Sequence, residues 1–279
     1  MTWQLTNDVR TFGDLVGPLM AADPAAHTIG LTVIERALAR SPDAPHADSY
    51  GYWVEPDGSV TGGFSITPPH AVLLEVLPDA ALQPLVEALG DRLTRVNAPE
   101  ALATRMAAEW SKVRGGTASV SMRTRLFRLG ELTPPDPAPD GYARAATSED
   151  LDVLVVWWRA FHDEIPGPDL VDDPAAAVAE LLARDACRLW CTPDGTPVSM
   201  AGISVPAVGA VRIGPVYTPA GLRRHGYAAG ATAAAATAAQ ERATEVLLFT
   251  DLANPTSNAL YPRLGFSPVM DRVTYRFDA

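Results

Sequence analysis

Four prolines fall within the ten residues from Leu132 to Gly141, Leu-Thr-Pro-Pro-Asp-Pro-Ala-Pro-Asp-Gly, and this stretch constrains the chain more than any other. Each proline fixes φ and removes a backbone donor, so neither a helix nor a central strand can run through it. We therefore expect an N-terminal α+β domain over 1–131, a linker over 132–141 and a second domain over 142–279. Both parts lie near the common domain size and can bury a core.

After the break, Tyr142–Thr147 reads as a strand, and Ser148, Glu149 and Asp150 offer an N-cap and early acidic residues for a helix to about Phe161. Asp172-Asp173-Pro174 opens a second helix through Arg184, with proline at the first helical position. Strands at Cys187–Cys191 and Val198–Val205 flank the turn Pro193-Asp194-Gly195. There follow a strand Val211–Tyr217, an alanine-dominated helix Gly226–Arg242, a strand Glu245–Asp251, a short helix Thr256–Leu264 closed by Gly265, and a strand Val269–Phe277. The order is β-α-α-β-β-β-α-β-α-β, an α/β (α+β) class.

The first half reads as a helix Thr28–Arg40, a hairpin of Tyr50–Val54 and Ser59–Thr67 around Pro56-Asp57-Gly58, and a strand Ala71–Leu77. Helices near Ala80–Thr94 and Pro99–Arg114 and a strand over Ala118–Leu129 complete it. That coarse order echoes the second half, and a tandem repeat of one fold with a degenerate first copy stands beside an unrelated α+β domain. Trp53, His70 and Trp110 fit packing better than a site.

The composition, 47% hydrophobic and 20% charged, is that of an ordinary globular protein. A formal charge of −11 disfavours nucleic acid, whose binding rests on neutralising phosphates with Lys and Arg. Lys112 is the only lysine, which with the heavy Ala, Pro and Gly usage suggests a GC-rich bacterial genome. No apolar run reaches the ~18 residues of a membrane span, and Met-Thr-Trp-Gln is no signal pattern, so a cytoplasmic protein without a membrane partner is expected. Cys187 and Cys191 sit four apart in one apolar stretch and read as buried small hydrophobes rather than a disulfide or metal site.

The chemistry is concentrated between Val211 and Ala228: a strand, a loop dense in Arg and Gly, and a helix start. The first turn of a helix leaves its N–H groups unpaired at the positive end of the dipole, which suits phosphate. Gly226 and Ala228 would let a pyrophosphate approach the backbone. Arg223-Arg224-His225-Gly226-Tyr227-Ala228, after a strand ending Val-Tyr-Thr-Pro, resembles the Arg/Gln-x-x-Gly-x-Gly/Ala signature of the GCN5-related acyltransferases (GNAT). Asn254-Pro-Thr-Ser-Asn-Ala-Leu-Tyr261-Pro-Arg-Leu-Gly265-Phe266 resembles the family's second motif, with Ser257 where Ala is more usual. The resemblance covers 142–279.

The resemblance implies the acyl-CoA N-acyltransferase fold, a mixed central sheet flanked by helices, and direct attack of an amine on a thioester without a covalent enzyme intermediate. It implies that acetyl-CoA, or another acyl-CoA, is held by Val216, Tyr217, Thr218, Arg223, Arg224, His225, Gly226, Tyr227, Ala228, Asn254, Ser257 and Tyr261. The strands before and after the loop would splay to admit the pantetheine arm. Gly214 and Pro215 fit a bulge there or a simple edge irregularity. Tyr261 would protonate the departing thiolate or simply pack; Asn254 would bond the cofactor or cap its helix.

Where many members carry a Glu before the loop, this chain has Arg212, so the base is sought in Phe161-His162-Asp163-Glu164-Ile165-Pro166. Glu164 is the candidate, with His162 and Asp163 behind it and Asp251 as an alternative holder of the acceptor's charge. The expected partner is a small-molecule amine, and the protein a monomer or homodimer. Transfer of another acyl group, a condensation or thioester cleavage, and a non-catalytic acyl-CoA binder are the competing readings.

Overall fold

The computed structural model describes residues 1–40, 47–165 and 173–278. It holds β1 (Thr2–Thr6), α1 (Val9–Ala21), α2 (Thr28–Ala39), β2 (Ser49–Val54), β3 (Val60–Ile66), β4 (Val72–Leu74), α3 (Leu82–Leu89), β5 (Arg95–Pro99), α4 (Glu100–Arg114) and β6 (Thr117–Leu129). The same order then recurs in β7 (Tyr142–Ala145), α5 (Leu151–Asp163), α6 (Pro174–Ala183), β8 (Cys187–Cys191), β9 (Pro197–Ile203), β10 (Ala210–Tyr217), α7 (Tyr227–Gln240), β11 (Glu245–Asp251), α8 (Pro255–Arg263) and β12 (Phe266–Asp278). The protein is a mixed α/β fold, with helices against a mixed sheet, and both halves read β-α-α-β-β-β-α-β-α-β.

That exact repetition was hidden in the sequence because β1, α1 and β5 are not expected from it. Gly13, Gly17 and Pro18 all fall inside α1, and each disfavours a helix on local grounds. Tertiary burial of Phe12, Val16 and Met20, with Asp8 capping the first turn, overrides them. The cap of the helix after β7 also differs from expectation. Thr147, not Ser148, forms a capping box with Asp150, whose carboxylate is also clamped by both terminal nitrogens of Arg144 at 2.7 Å. Pro166 and Asp172 lie outside the described residues.

Two compact units are formed, one of Met1–Arg125 with Met270–Ala279 and one of Leu126–Val269. In the first, β1, β2, β3 and β4 pair antiparallel in turn and β4 pairs parallel with β5. Residues 272–276 of β12 pair antiparallel with β5, so 270–278 pack in this unit rather than with 142–269. Val273 and Phe277 enter its core, where Phe277 stacks on Trp110 at 4.7 Å. Trp53 and Trp110 are core residues, whereas His70 is exposed.

In the second unit β7, β8, β9 and β10 pair antiparallel in turn, and β10 pairs parallel with β11. One face carries α7, whose Ala229, Ala231, Ala235, Ala236 and Ala239 pack on Val211, Ile213 and Val246. The other holds α5 and α6 over Leu189, Met200 and both cysteines, which are free and buried. Burial pushes the Cys187 thiol up to about 12, which removes it as a nucleophile at neutral pH.

Small side chains let α7 lie close to the sheet. A Cβ on Gly230 would stand 2.4 Å from the Trp190 ring, whose indole N–H is itself fixed to Asp140 O at 3.0 Å. Gly230→Val is therefore expected to lower stability by about 1–3 kcal/mol through overpacking, read as a fall in the urea midpoint; an unchanged midpoint would show that α7 can lift off Trp190 freely.

Candidate active site

β10 pairs with β11 only from Ala210↔Glu245 to Ile213↔Leu248, although the two strands continue to Tyr217 and Asp251. On its other side β10 slips register against β9 between Ile213 and Val216, where Gly214 and Pro215 interrupt the ladder. Gly214 has φ +153°, and the proline has no N–H to donate. The bulge turns the Gly214 carbonyl toward β9, where a Cβ on Gly202 would meet it at 2.9 Å. Sequence left a bulge and an edge irregularity open; the register shift shows the bulge.

The end of β10 is pinned. Ser199, with no solvent exposure, donates its hydroxyl to Tyr217 O at 3.0 Å and lies 2.8 Å from Thr218 Oγ1. Sequence reasoning passed over Ser199 and Gly202; their signal was a serine and a glycine inside the apolar run Val198–Ile203. Between Gly214 and Tyr217, then, main-chain groups turned toward β11 meet no strand partner among the described residues. A secondary amide is the group such an edge accepts.

Thr218 to Gly226 connects this edge to α7. Arg223 Nε donates to Thr218 O at 2.9 Å, its NH2 reaches Glu164 at 2.6 Å, and its guanidinium lies 5.8 Å from the Tyr217 ring centre. Arg224 at φ +68° and Gly226 at φ +81° both take left-handed backbone, which wraps the loop tightly before the helix. His225 stacks on Tyr227 with ring centres 5.4 Å apart.

Helices α1, α6 and α8 are each capped by a side chain, from Asp8, Asp173 and Asn254. Helix α7, like α2 and α3, has no side-chain cap and no acidic residue in its first turn, and its N-cap is Gly226. Its leading N–H groups and positive dipole end are left for an anion, with Arg224, His225 and the small Ala228 alongside. These residues fit the diphosphate and amide arm of a coenzyme A ester.

Helix α8 carries the second motif. Asn254 Oδ1 accepts from Ser257 N at 3.1 Å, so this side chain caps the helix. Tyr261 is 6% exposed and packs near Phe127 and Phe266, with ring centres 6.2 and 6.1 Å away. Burial pushes its phenol up to about 12, against a lowering hydrogen bond from Ser257. The group is both packed and protonated throughout the neutral range.

On the acceptor side the residues scatter. Glu164 follows α5 and pairs with Arg223, with both side chains about half exposed at 52% and 44%. The His162 ring binds Trp158 O at 2.7 Å within the same helix. Asp251 is used locally, its Oδ1 accepting from Ala253 N at 2.8 Å. Arg212 is half-buried on β10. Among the described residues, no group of three or more His, Cys, Asp or Glu could hold a metal ion, and no helix is long and apolar enough to cross a membrane.

Residues 152–266 match the Acetyltransferase (GNAT) family, which contains both motifs. No curated protein matches the chain. Among solved structures, a Drosophila protein aligns with TM-score 0.67 at 14% identity over 99% of this chain and 98% of its own. A GNAT-family acetyltransferase from Colwellia psychrerythraea aligns with TM-score 0.64 at 10% identity over the whole of both chains. A tandem GNAT protein from the clavulanic acid biosynthesis pathway aligns with TM-score 0.56 at 13% identity over 99% of this chain and 98% of its own. At such identities these establish the fold, here over both halves.

Replacing Asn254 by Ala removes the cap of α8 and is expected to cost about 1 kcal/mol of stability, measured by urea denaturation; no loss would mean that the α8 terminus draws nothing from the side chain.

Proposed function

We propose that the second unit is an acyl-CoA-dependent N-acyltransferase that moves an acetyl group to the amine of a small molecule by direct attack. The observation that carries this reading is the coincidence of two open features: a β10 edge without a partner past Ile213, and an uncapped α7 terminus one loop further on. An anion at the helix and an amide arm at the strand edge are the two ends of one ligand. The match to the GNAT family over 152–266 supports the same ligand, since its members use acyl-CoA.

Acetyl-CoA, when bound, supplies an activated thioester. The chain's residues then have separable tasks. Backbone groups of Gly214–Tyr217, including Val216, bind the amides and polarise the acyl carbonyl. The N–H groups from Arg224 to Ala228, with the Arg223 and Arg224 guanidinium groups, hold the phosphates. Thr218 fixes the loop through Ser199, and the stacked pair His225 and Tyr227 walls the phosphate turn. Tyr261 holds a proton for the departing sulfur; with its phenol pushed up to about 12, it is an acid and never a base near neutrality.

Glu164 takes the proton of the acceptor's ammonium, directly or through water. Its ion pair with Arg223 must part for it to do so. That pair favours a second reading of the same residue, in which Glu164 positions Arg223 and another group accepts the proton. At the level of the chain, we propose two GNAT-like domains, not divided at 132–141 as expected from the sequence but formed by 1–125 with 270–279 and by 126–269, with the second carrying the chemistry.

Calorimetric titration tests the cofactor first. The parent chain is expected to bind acetyl-CoA and an Arg224→Glu, Gly226→Trp variant to lose it; a parent that binds none leaves the fold without this activity. Tyr261→Phe is expected to lower kcat by about 10²-fold or more on a turned-over amine, with no ionisation of Tyr261 in the parent's pH–rate profile below pH ~10. Unchanged kcat removes the phenol from the mechanism. For Glu164→Gln, a pH–rate profile that keeps the parent's acidic limb would assign the base elsewhere.

A further inference from the structure

The repetition of elements extends to the details of the site. In the first unit β4 and β5 pair parallel through Val72↔Val96 and Leu73↔Asn97, and there the ladder ends. In the second, the last two pairs are Arg212↔Leu247 and Ile213↔Leu248. The antiparallel partner slips by one residue in both. β3 meets β4 at Phe64↔Leu74, yet Gly63 N donates to Val76 O at 3.1 Å, stepping over Glu75 as β9 steps past Gly214-Pro215. A close glycine attends each slip: a Cβ on Gly62 would stand 2.7 Å from Val76 O, and one on Gly202 2.9 Å from Gly214 O. By register, Leu74 corresponds to Gly214 and Glu75 to Pro215.

What lies beyond the last parallel pair differs. In the first unit it is the side chain of Arg272 from β12, with no solvent exposure. Its Nε donates to Asn97 Oδ1 on β5 at 2.9 Å and its NH2 to the Leu74 carbonyl at the end of β4 at 3.3 Å. The guanidinium therefore bridges the two strands where β10 and β11 stand apart. Its remaining nitrogen, NH1, meets Glu75 Oε2 at 2.9 Å.

Glu75 is fully engaged as well, accepting from Gly30 N at 3.2 Å in the first turn of α2 and lying 2.9 Å from His27 Nδ1. Burial pushes the Glu75 carboxyl up, but Arg272 and His27 outweigh it and hold the group below its ordinary value. A charge sealed this far from water persists only when paired and hydrogen-bonded on all sides, as here. The connection from Leu74 to α3, Glu-Val-Leu-Pro-Asp-Ala-Ala, carries two acidic residues and no arginine, the reverse of the second unit's loop.

We infer that the Arg272 side chain occupies, in the first unit, the place that the amide arm of an acyl-CoA takes in the second, so that the chain holds one acyl-CoA and its first unit is filled by its own arginine. The inference rests on the reading of the second unit as an acyl-CoA site. It also names a ligand class for the first unit once Arg272 is removed: a neutral bis-amide such as pantetheine, which offers the same N–H donor to the Leu74 carbonyl and needs no phosphate contacts.

Two measurements on the full chain test it. Acetyl-CoA titrated calorimetrically is expected to bind the parent at one equivalent and the Gly226→Trp chain not at all; a second equivalent, or one that survives Gly226→Trp, overturns the inference. Millimolar pantetheine is then added to Gly226→Trp and to Gly226→Trp carrying Glu75→Gln and Arg272→Ser, the paired change avoiding a lone buried charge. The triple variant is expected to gain about 2 °C or more in Tm and the single variant none. A folded triple variant with no gain overturns the inference, and if it does not fold the stoichiometry decides alone. A parent that binds no acetyl-CoA, beside a triple variant that pantetheine stabilises, rejects the reading of the second unit while leaving Arg272 as the occupant of the first.

Discussion

The second unit is organised around a backbone ladder that stops early. Strand groups left without partners are costly where water cannot reach them, so a sheet normally pairs its strands along their shared length. Here β10 leaves β11 after Ile213, and the bulge at Gly214-Pro215 that diverts it is held from behind by Gly202 and by the buried hydroxyl of Ser199. The divergence is thus built in by four side chains, two of them no more than a hydrogen atom. Without it the loop from Thr218 to Gly226 would start elsewhere and the helix behind it would not face the opening.

That helix is made for close approach more than for strength. Alanines and Gly230 bring α7 against Val211, Ile213 and the Trp190 ring, which sets its axis and so the direction in which its uncapped terminus points. Helices α1, α6 and α8 spend a polar side chain on their first turn. Gly226 leaves that position bare and adds a left-handed backbone angle. Packing on one side of the helix and an open, uncapped end follow from the same choice of small residues.

The first unit shows the same scaffold put to another use. Its slip at Glu75 repeats the second unit's, with a close glycine of its own at 62, but a buried guanidinium and carboxylate now tie β4 to β5. An ion pair so enclosed adds little net stability over an apolar filling of the same shape; its effect is on which arrangement of strands is allowed. Arg272 arrives on β12, so the segment that completes this unit is separated from the rest of it in sequence by the whole of the second unit, 126–269.

The sequence by itself determined the second half nearly element by element, because its strands and helices follow local rules: Pro174 at a first helical position, Gly265 closing a helix, alanines carrying α7. The two motifs likewise put Asn254 and Tyr261 at a short helix and Arg223 to Ala228 at the entry to another, as the elements α8 and α7 have them. Only the tertiary structure recovered α1 across Gly13, Gly17 and Pro18, where burial outweighs propensity. Only it turned Asn254 into a cap, tied Glu164 to Arg223, and carried 270–278 into the first unit's core. Those outcomes depend on partners far away along the chain, as Arg272 and Glu75 are, and no local pattern encodes which distant group a side chain will meet.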